Sequence, residues 1–553
     1  MGRGTEPGHR SDRFERTSLA CGDVTAADLS AAASVVDLAQ GVVSRAVRRL
    51  SRSRDPEAEQ VLLYDIAHAA AGVAIARSFL DYGAKGDDEA RMTCAFVADV
   101  AHDVSAKLFG REGLWDVEPG ALDAAGPFLT RYRDPEFLAS LAGTDGPRHL
   151  DDDFELVADT FRRFAEDRIR PVAEHVHRTN ADVPEPIITG LGEMGAFGLS
   201  VPEEYGGFAT GGESDYIGMV VATEELSRGS LGIGGSLITR PEILTRALVR
   251  GGTEEQKQRW LPQLANGSVM AGVAVTEPDV GSNVGGLIVA AAPAEGPDGE
   301  PGWKINGVKT WCTLGARADV LMLLARTDPD RSLKHRGLSL FVVPKPRADG
   351  HGFAFVQDGT GGKIEGRAID TIGYRGMHSY EIAFDGWWVP DDCLVGGEAG
   401  VGRGFYLTME GFENGRLQTA ARAIGVMQAA YEAASQYAQD RLVFGQPVGE
   451  FQLTKAKLAR MAVMIQATRQ FAYAVARLMA SSDRTIEAPM LKAYVCRAAE
   501  WVTREAMQIH GGYGYAEEYP VSRLFVDARV LSIFEGTDEI LTLNVIARLL
   551  LER

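Results

Sequence analysis

The chain has 553 residues, 45% of them hydrophobic, with 57 lysines and arginines against 76 acidic residues and a net charge of −19. Such a length exceeds one hydrophobic core, and such a charge repels nucleic acid and anionic membranes, so an anionic substrate must be met by local cations. No run of about 18 apolar residues appears, and the start, MGRGTEPGHRSDRFER, is polar throughout, so neither a membrane span nor a secretory signal is expected. Cys21, Cys94, Cys312, Cys393 and Cys496 are far apart, form no C-x-x-C pair and have no clustered histidines beside them. A disulfide framework and a metal site are therefore not expected, and a reducing cytoplasm is the natural setting.

Residues 1–148 read as a helical extension and linker. From about Thr25 to Gly110, DLSAAASVVDLAQGVVSRAVRRL, EAEQVLLYDIAHAAAGVAIARSFLDYG and EARMTCAFVADVAHDVSAKLFG carry apolar residues at helical spacing. The Gly/Pro-bearing WDVEPGALDAAGPFLTRYRDPEF follows. A second helical domain, 149–270, opens at LDDDFELVADTFRRFAEDRIRPVAEHV.

Over 271–396 the period shifts towards two in VMAGVAVTEP, WKINGVKTWCTL, ADVLMLLART, LSLFVVPK and YEIAFDGWWVP, with GPDGEPG and RADGHG as turns. This predicts a central β domain of barrel or sandwich type. Helices return over 397–553 in ARAIGVMQAAYEAASQYAQDR, FQLTKAKLARMAVMIQATRQFAYAVARLM and PMLKAYVCRAAEWVTREAMQIHGG. The whole is an α+β multidomain pattern. A weak echo links AGVAIARSFL at 71–80 with FAYAVARLMA at 471–480. Either Ala-rich helices resemble one another by chance, or the extension is a degenerate copy of the C-terminal helices that serves as a packing module.

Four stretches hold candidate chemistry. In LSIFEGTDEI, 531–540, Glu535 stands between an apolar run and Gly536, a setting that raises a carboxylate pKa and admits a ligand to the backbone, though it also suits an ordinary loop capped before a helix. In AVTEPDVGSNVGG, Thr276 ends a predicted strand and Ser282 lies in a loop shaped by Pro278 and glycines. In KTWCTLGARAD, strand alternation puts Trp311 and Thr313 on one face, a wall and a hydroxyl for a flat conjugated ring. In MQIHGGYGY, a helix carrying Gln508 stops at Gly511 and Gly512. Taken singly, a strand Trp reads equally as core and a Gly pair as a helix cap. GTGGK at 359–363 is not a phosphate loop, because Gln357 and Ile364 stand where its first Gly and its Ser or Thr belong.

Taken together, TEPDVGSNV, NGVKTWCT, DRLVFGQPVGEFQ, QIHGGYGYAEEYPVSRLFVDAR and FEGTDEI follow the order and approximate spacing of the acyl-CoA dehydrogenase family, which the chain resembles from about residue 150 to 553. The resemblance implies a helical N-terminal domain, a central β domain and a C-terminal four-helix bundle, with the N-terminal helices as an added extension. It implies a homodimer or homotetramer, non-covalent FAD, an acyl-CoA substrate and electron-transferring flavoprotein as acceptor.

Glu535 matches the catalytic base, which removes the α-proton while the β-hydrogen leaves as hydride to flavin N5. Its backbone N–H, with a ribityl hydroxyl, matches the oxyanion donors. Apolar surroundings and loss of water on substrate binding are expected to raise the pKa of the base towards working pH. Thr276 and Thr313 match groups at the flavin's polar edge, and Trp311 the aromatic against its ring. Arg441, Phe444, Gln508, Gly511 and Gly512 match the part that reaches a neighbouring subunit's FAD, and Thr537 and Glu539 match contacts after the base. Ser282, which also borders the cofactor, Glu413 and Arg416 match the CoA channel, with Phe534 and Gly536 at the acyl pocket.

Some relatives carry the base just before the arginine equivalent to Arg416, where this chain has Gly415. Leu314 and Phe534 depart from the usual Asn and Tyr. The extension, with WCTLGARAD and GGKIEGRAIDTIGYRGMHSYEIAFDGWWVP, resembles the branch of the family that oxidises (2S)-methylsuccinyl-CoA to mesaconyl-CoA in the ethylmalonyl-CoA pathway. A distal carboxylate needs a buried cation. Leu231 stands where glutaryl-CoA dehydrogenase has its arginine, which leaves Arg240 in SLITRPEIL as the candidate, with a surface salt bridge as its other reading. Competing expectations are a short or branched monocarboxylic acyl-CoA, a flavin oxidase or monooxygenase, and a non-catalytic flavoprotein on the same fold.

Overall fold

The computed structural model describes residues 26–481 and 486–552; Cys21, the polar start and the expected opening at Thr25 lie outside them. Helices α1 (Leu29–Ser51), α2 (Gln60–Gly83) and α3 (Asp87–Leu108) form the extension with the short α4 (Gly126–Tyr132) and α5 (Pro135–Ser140). Asp28 starts α1 as an N-cap, its side chain accepting from the Ala31 amide. By length and composition α2 could cross a membrane, but Asp65, His68 and Arg77 interrupt its apolar run and most of it is buried inside the protein. Its apolar residues belong to the same core as those of the C-terminal helices.

The second helical region holds α6 (Asp152–Phe164), α7 (Arg170–Thr179), α8 (Glu185–Glu193), α9 (Glu213–Gly229), α10 (Ser236–Gly251) and α11 (Glu254–Ala265). A mixed sheet follows, made of β1 (Ala271–Ala274), β2 (Ala290–Glu295), β3 (Pro301–Thr313), β4 (Val320–Arg326), β5 (Leu338–Pro344), β6 (Gly352–Val356), β7 (Lys363–Ile369) and β8 (Ser379–Pro390). Its order is β1-β4-β2-β3-β8-β7-β6, with β5 also on β4. Strands β2, β6 and β7 are absent from the expected runs. β2 is alanine-rich and contains Pro293, which weakens its strand signal.

The C-terminal helices are α12 (Gly404–Asp440), α13 (Gln452–Ser481), α14 (Glu487–Ile509), α15 (Pro520–Leu531) and, after a π-helical stretch at Ile540–Ile546, α16 (Ala547–Glu552). Between α12 and α13 lies a small ribbon, β9 (Leu442–Val443) and β10 (Gln446–Pro447). Its turn residues Phe444 and Gly445 both have positive φ, +49° and +84°, the geometry of a two-residue hairpin that thrusts Phe444 outward.

The extension packs on the C-terminal bundle through α2 and α3, which meet α13 and α14. Phe96 of α3 and Tyr494 of α14 stand edge to face at 6.0 Å between centroids. Cys94, Cys312, Cys393 and Cys496 are free and buried. Asp182 accepts from the Gly350 amide at 2.7 Å and lies 3.2 Å from buried His378, joining the loop before α8 to the sheet. His351 converges on the same point, a grouping of ionisable side chains not visible in the sequence order.

Candidate active site

The turn after α15 is held from several directions. Glu535 has φ +55° and Gly536 φ +95°, and a non-glycine residue in this left-handed region persists only when its surroundings over-determine it. Buried Lys492 of α14 supplies one restraint, donating to the Phe534 carbonyl at 3.0 Å and to the Gly536 carbonyl at 2.6 Å. Thr537 supplies another, its Oγ1 accepting from the Ile540 amide at 3.3 Å and so opening the final helix. The Phe534 ring stands edge to face with Tyr374 at 5.5 Å, forming an aromatic corner beside Glu535.

The Glu535 side chain is 3% exposed. Its Oε1 accepts from Arg422 Nη2 at 2.6 Å and lies 3.5 Å from Arg240 Nη1, and its Oε2 accepts from Thr419 Oγ1 at 2.7 Å. Arg240 also donates to the Tyr374 hydroxyl at 3.0 Å, and both guanidiniums lie over the Phe534 ring, at 5.7 Å for Arg240 and 4.7 Å for Arg422. Burial alone pushes the Glu535 carboxyl up, but the charges of Arg422 and Arg240 and the bond from Thr419 outweigh it and hold the group below the usual carboxylate range. The expectation of a raised pKa is thus corrected for the free site. Its apolar sequence neighbours were the wrong guide, because the guanidiniums come from α10 and α12.

Arg240 is buried and part of the site, not a surface salt bridge. Arg416 also lies near, where burial pushes its guanidinium pKa down against the opposing charges of Glu413 and Glu535. The Nε atoms of Arg240, Arg416 and Arg422 are buried with no hydrogen-bond partner among the described residues. Arg422, Thr419, Tyr374 and Lys492 were not singled out from the sequence. A signal for two of them existed: Gly415, Thr419 and Arg422 are spaced i, i+4, i+7 and form one stripe of α12 facing Glu535.

The other expected residues lie on surfaces of different kinds. Thr276 follows β1, its carbonyl accepting from the Thr310 amide at 2.9 Å, and Ser282 is exposed in the succeeding loop. Trp311 has φ +58° at a register shift between Lys309 and Cys312 and is 55% exposed, whereas Thr313 is buried with its hydroxyl 3.4 Å from that of Ser379. The bulge therefore replaces the simple alternation expected for this pair. Arg441 lies 5.7 Å over the Tyr513 ring next to Gly511 and Gly512, and Phe444 is 98% exposed. Gln508 and Glu539 are exposed too. Gln508 is about 24 Å along α14 from Lys492 at ~1.5 Å per residue, so it belongs to a different surface from this chain's Glu535.

Residues 151–268, 272–387 and 402–551 match, in turn, the acyl-CoA dehydrogenase N-terminal, middle and C-terminal domains. The chain belongs to the acyl-CoA dehydrogenase family. It is 45% identical over 411 residues to (2S)-methylsuccinyl-CoA dehydrogenase of Cereibacter sphaeroides, covering 74% of this chain and 71% of that protein. Among solved structures, a glutaryl-coenzyme A dehydrogenase in complex with glutaryl-CoA is similar with a TM-score of 0.64 at 29% identity, over 72% of this chain and 95% of that one. A glutaryl-CoA dehydrogenase of Mycobacterium smegmatis in complex with FADH2 matches with a TM-score of 0.63 at 27% identity, over 74% and 97%.

As an acyl-CoA dehydrogenase the chain is an FAD-dependent oxidoreductase acting on the CH–CH bond of acyl-CoA. The residues present fit that cofactor. An exposed indole at Trp311 and the hydroxyls of Thr276 and Thr313 offer a wall and donors, and on the separate surface at the end of α14 an open Gly512, where a β-carbon would meet nothing within 4 Å, offers a close backbone approach.

Proposed function

We propose that this acyl-CoA dehydrogenase oxidises a short branched acyl-CoA with a distal carboxylate, (2S)-methylsuccinyl-CoA to mesaconyl-CoA, with Glu535 as the base. The observation that carries the reading is the convergence of buried Arg240 and Arg422 on Glu535, with Arg416 near. Two guanidiniums facing one carboxylate leave an unbalanced positive charge, and an uncompensated buried charge is costly. A second carboxylate on the substrate would balance it, whereas a purely apolar acyl chain would not. The likeness to a methylsuccinyl-CoA dehydrogenase supports the same choice.

The arginines then explain how a depressed carboxyl becomes a base. When the substrate carboxylate draws Arg240 and Arg422 to itself and displaces water, Glu535 loses its main stabilising charges while its desolvation deepens, so its pKa rises. Glu535 takes the α-proton, and Phe534 and Tyr374 keep water from the reacting carbon. FAD, when bound, supplies the acceptor for the β-hydride, held by Thr276, Trp311, Thr313 and Thr537. We infer that Arg441, Phe444, Gln508 and Gly512 reach the cofactor of a neighbouring subunit in a homodimer or homotetramer, and that electron-transferring flavoprotein takes the electrons onward.

The test is anaerobic bleaching of the bound flavin by methylsuccinyl-CoA, glutaryl-CoA, isovaleryl-CoA and butyryl-CoA. Methylsuccinyl-CoA is expected to bleach fastest, and Glu535→Gln to abolish the reaction. Equal bleaching by butyryl-CoA overturns the dicarboxyl reading, and turnover retained in Glu535→Gln overturns the assignment of the base.

A further inference from the structure

The N-terminal extension touches the turn that carries the base. Tyr64 and His68 lie one helical turn apart on α2, and both reach Asp538, three residues beyond Glu535. The Tyr64 hydroxyl donates to Asp538 Oδ2 at 2.5 Å, and His68 Nε2 lies 3.0 Å from the same oxygen. The two rings stand edge to face at 4.6 Å, so each fixes the other, and both His68 and the Asp538 side chain are shielded from solvent. The Asp538 amide in turn donates to the Ser532 carbonyl at 3.1 Å, closing the loop across Glu535.

We propose that Tyr64 and His68 are positioning residues for catalysis, with the extension acting through Asp538 to hold the Glu535 turn in its left-handed conformation. Lys492 holds the bend from the α14 side through the Phe534 and Gly536 carbonyls and Thr537 caps the helix that follows, while Asp538 ties the outgoing limb to α2. Asp538 owes its place to residues 474 and 470 positions earlier in the chain. With that anchor gone the turn has fewer restraints against its unfavourable φ values, and the carboxylate moves relative to the α-carbon it must deprotonate. The extension thereby acts on the chemistry as well as on packing. The inference rests on Glu535 being the base.

The experiment compares full-length, FAD-loaded Tyr64→Phe, His68→Leu, their double variant and the conservative His68→Gln. Arg111→Gln serves as a control, because it breaks the 2.7 Å pair with Asp65 on the same helix without touching the turn. The readouts are FAD per chain, Tm, KM, the rate of anaerobic flavin reduction by methylsuccinyl-CoA, and the isotope effect on substrate deuterated at the α-carbon. The double variant is expected to keep its FAD and its KM within about two-fold while reduction slows about 10-fold or more and the isotope effect rises. His68→Gln, which returns a donor near the position of Nε2, is expected to recover most of the rate.

If the double variant fails to fold, Tyr64→Phe alone carries the test, with an expected slowing of about three-fold. Reduction at the parental rate overturns the proposal, as does a loss that Arg111→Gln reproduces at equal Tm, or one in which FAD content and KM change in step with rate. An inactive Glu535→Gln beside a double variant of parental rate sinks this inference alone. An active Glu535→Gln sinks the assignment of the base beneath it.

Discussion

Gly415 and Glu535 share one volume: a β-carbon on Gly415 would lie 2.9 Å from Glu535 Oε2 and 3.5 Å from its carboxyl carbon. The position where some relatives place the base is thus, in this chain, the space into which the Glu535 carboxylate reaches. The obstructing atom is the end of a flexible side chain, so an added methyl displaces the carboxylate without breaking the helix. Alanine is also better than glycine inside a helix by about 0.5–1 kcal/mol. Gly415→Ala is therefore expected to keep or raise Tm while kcat falls about 10-fold, roughly 1.4 kcal/mol of barrier. Calorimetry beside steady-state kinetics checks it, and a fall in both quantities together would point to a packing defect instead.

The pH dependence follows from the arginines. In the free enzyme Glu535 is held below its ordinary value of 4.5, so its stabilising contribution is present above the unfolded carboxyl pKa and is lost as pH falls through the lower folded value. The acid limb of kcat/KM, which reports the free enzyme, is expected below pH 4.5 if the fold survives there. Arg422→Gln removes a stabilising charge while leaving the burial that pushes the carboxyl up, so the acid limb moves to higher pH. An unmoved limb in this variant would mean that another group sets it.

Arg240 separates substrate recognition from the chemistry. Its guanidinium is 3.5 Å from Glu535 and, among the described residues, hydrogen-bonds to Tyr374 alone, which makes it the more available of the two for a substrate carboxylate. A charge-assisted hydrogen bond contributes about 1.5–3 kcal/mol, so Arg240→Gln is expected to lower kcat/KM for methylsuccinyl-CoA about 10- to 100-fold and to leave butyryl-CoA within about three-fold. Competition assays with both thioesters measure the ratio directly, and an equal loss on both would assign Arg240 to the base alone.

Where a signal was local, the sequence was a good guide. The strand runs of β4, β5 and β8, the three helices of the extension and the FEGTDEI turn are each contained in one continuous segment. What escaped is contributed across the fold. Arg422 and Thr419 look like polar breaks in an alanine-rich helix until Glu535 is placed against them, and Tyr374 and Lys492 come from a loop and from α14. The lowered pKa of Glu535 in the free site escapes for the same reason: chain neighbours Phe534 and Gly536 describe its backbone, whereas its charge environment comes from residues more than a hundred positions away. The link from Tyr64 and His68 to Asp538 is longer still and has no periodic signature.

The extension is tied to the core by charge as well as by apolar contact, and that tie can be tested separately from the Asp538 anchor. Arg148, at the end of the linker, lies 3.1 Å from Glu224 and also pairs with Glu225, both fully buried on α9. Arg469 of α13 meets Glu224 at 2.8 Å, Arg162 meets Glu225 at 2.9 Å, and Gln470 holds the Arg148 carbonyl at 2.8 Å. Removing Arg148 leaves each glutamate with one remaining guanidinium, so the loss should fall short of the ~3–5 kcal/mol of a fully orphaned buried charge. Arg148→Met, which keeps much of the aliphatic volume, is expected to lower Tm by about 2 °C, because a chain of this length unfolds with an entropy of roughly 1 kcal/mol per degree. Because the network is buried, added salt should restore little of it. Flavin reduction by methylsuccinyl-CoA well below Tm should stay within about two-fold, since Arg148 touches neither the turn nor Asp538. A thermal scan at low and high salt together with a reduction assay reads both expectations, and a large loss of rate at unchanged Tm would mean that the linker acts on the active site by a route other than α2.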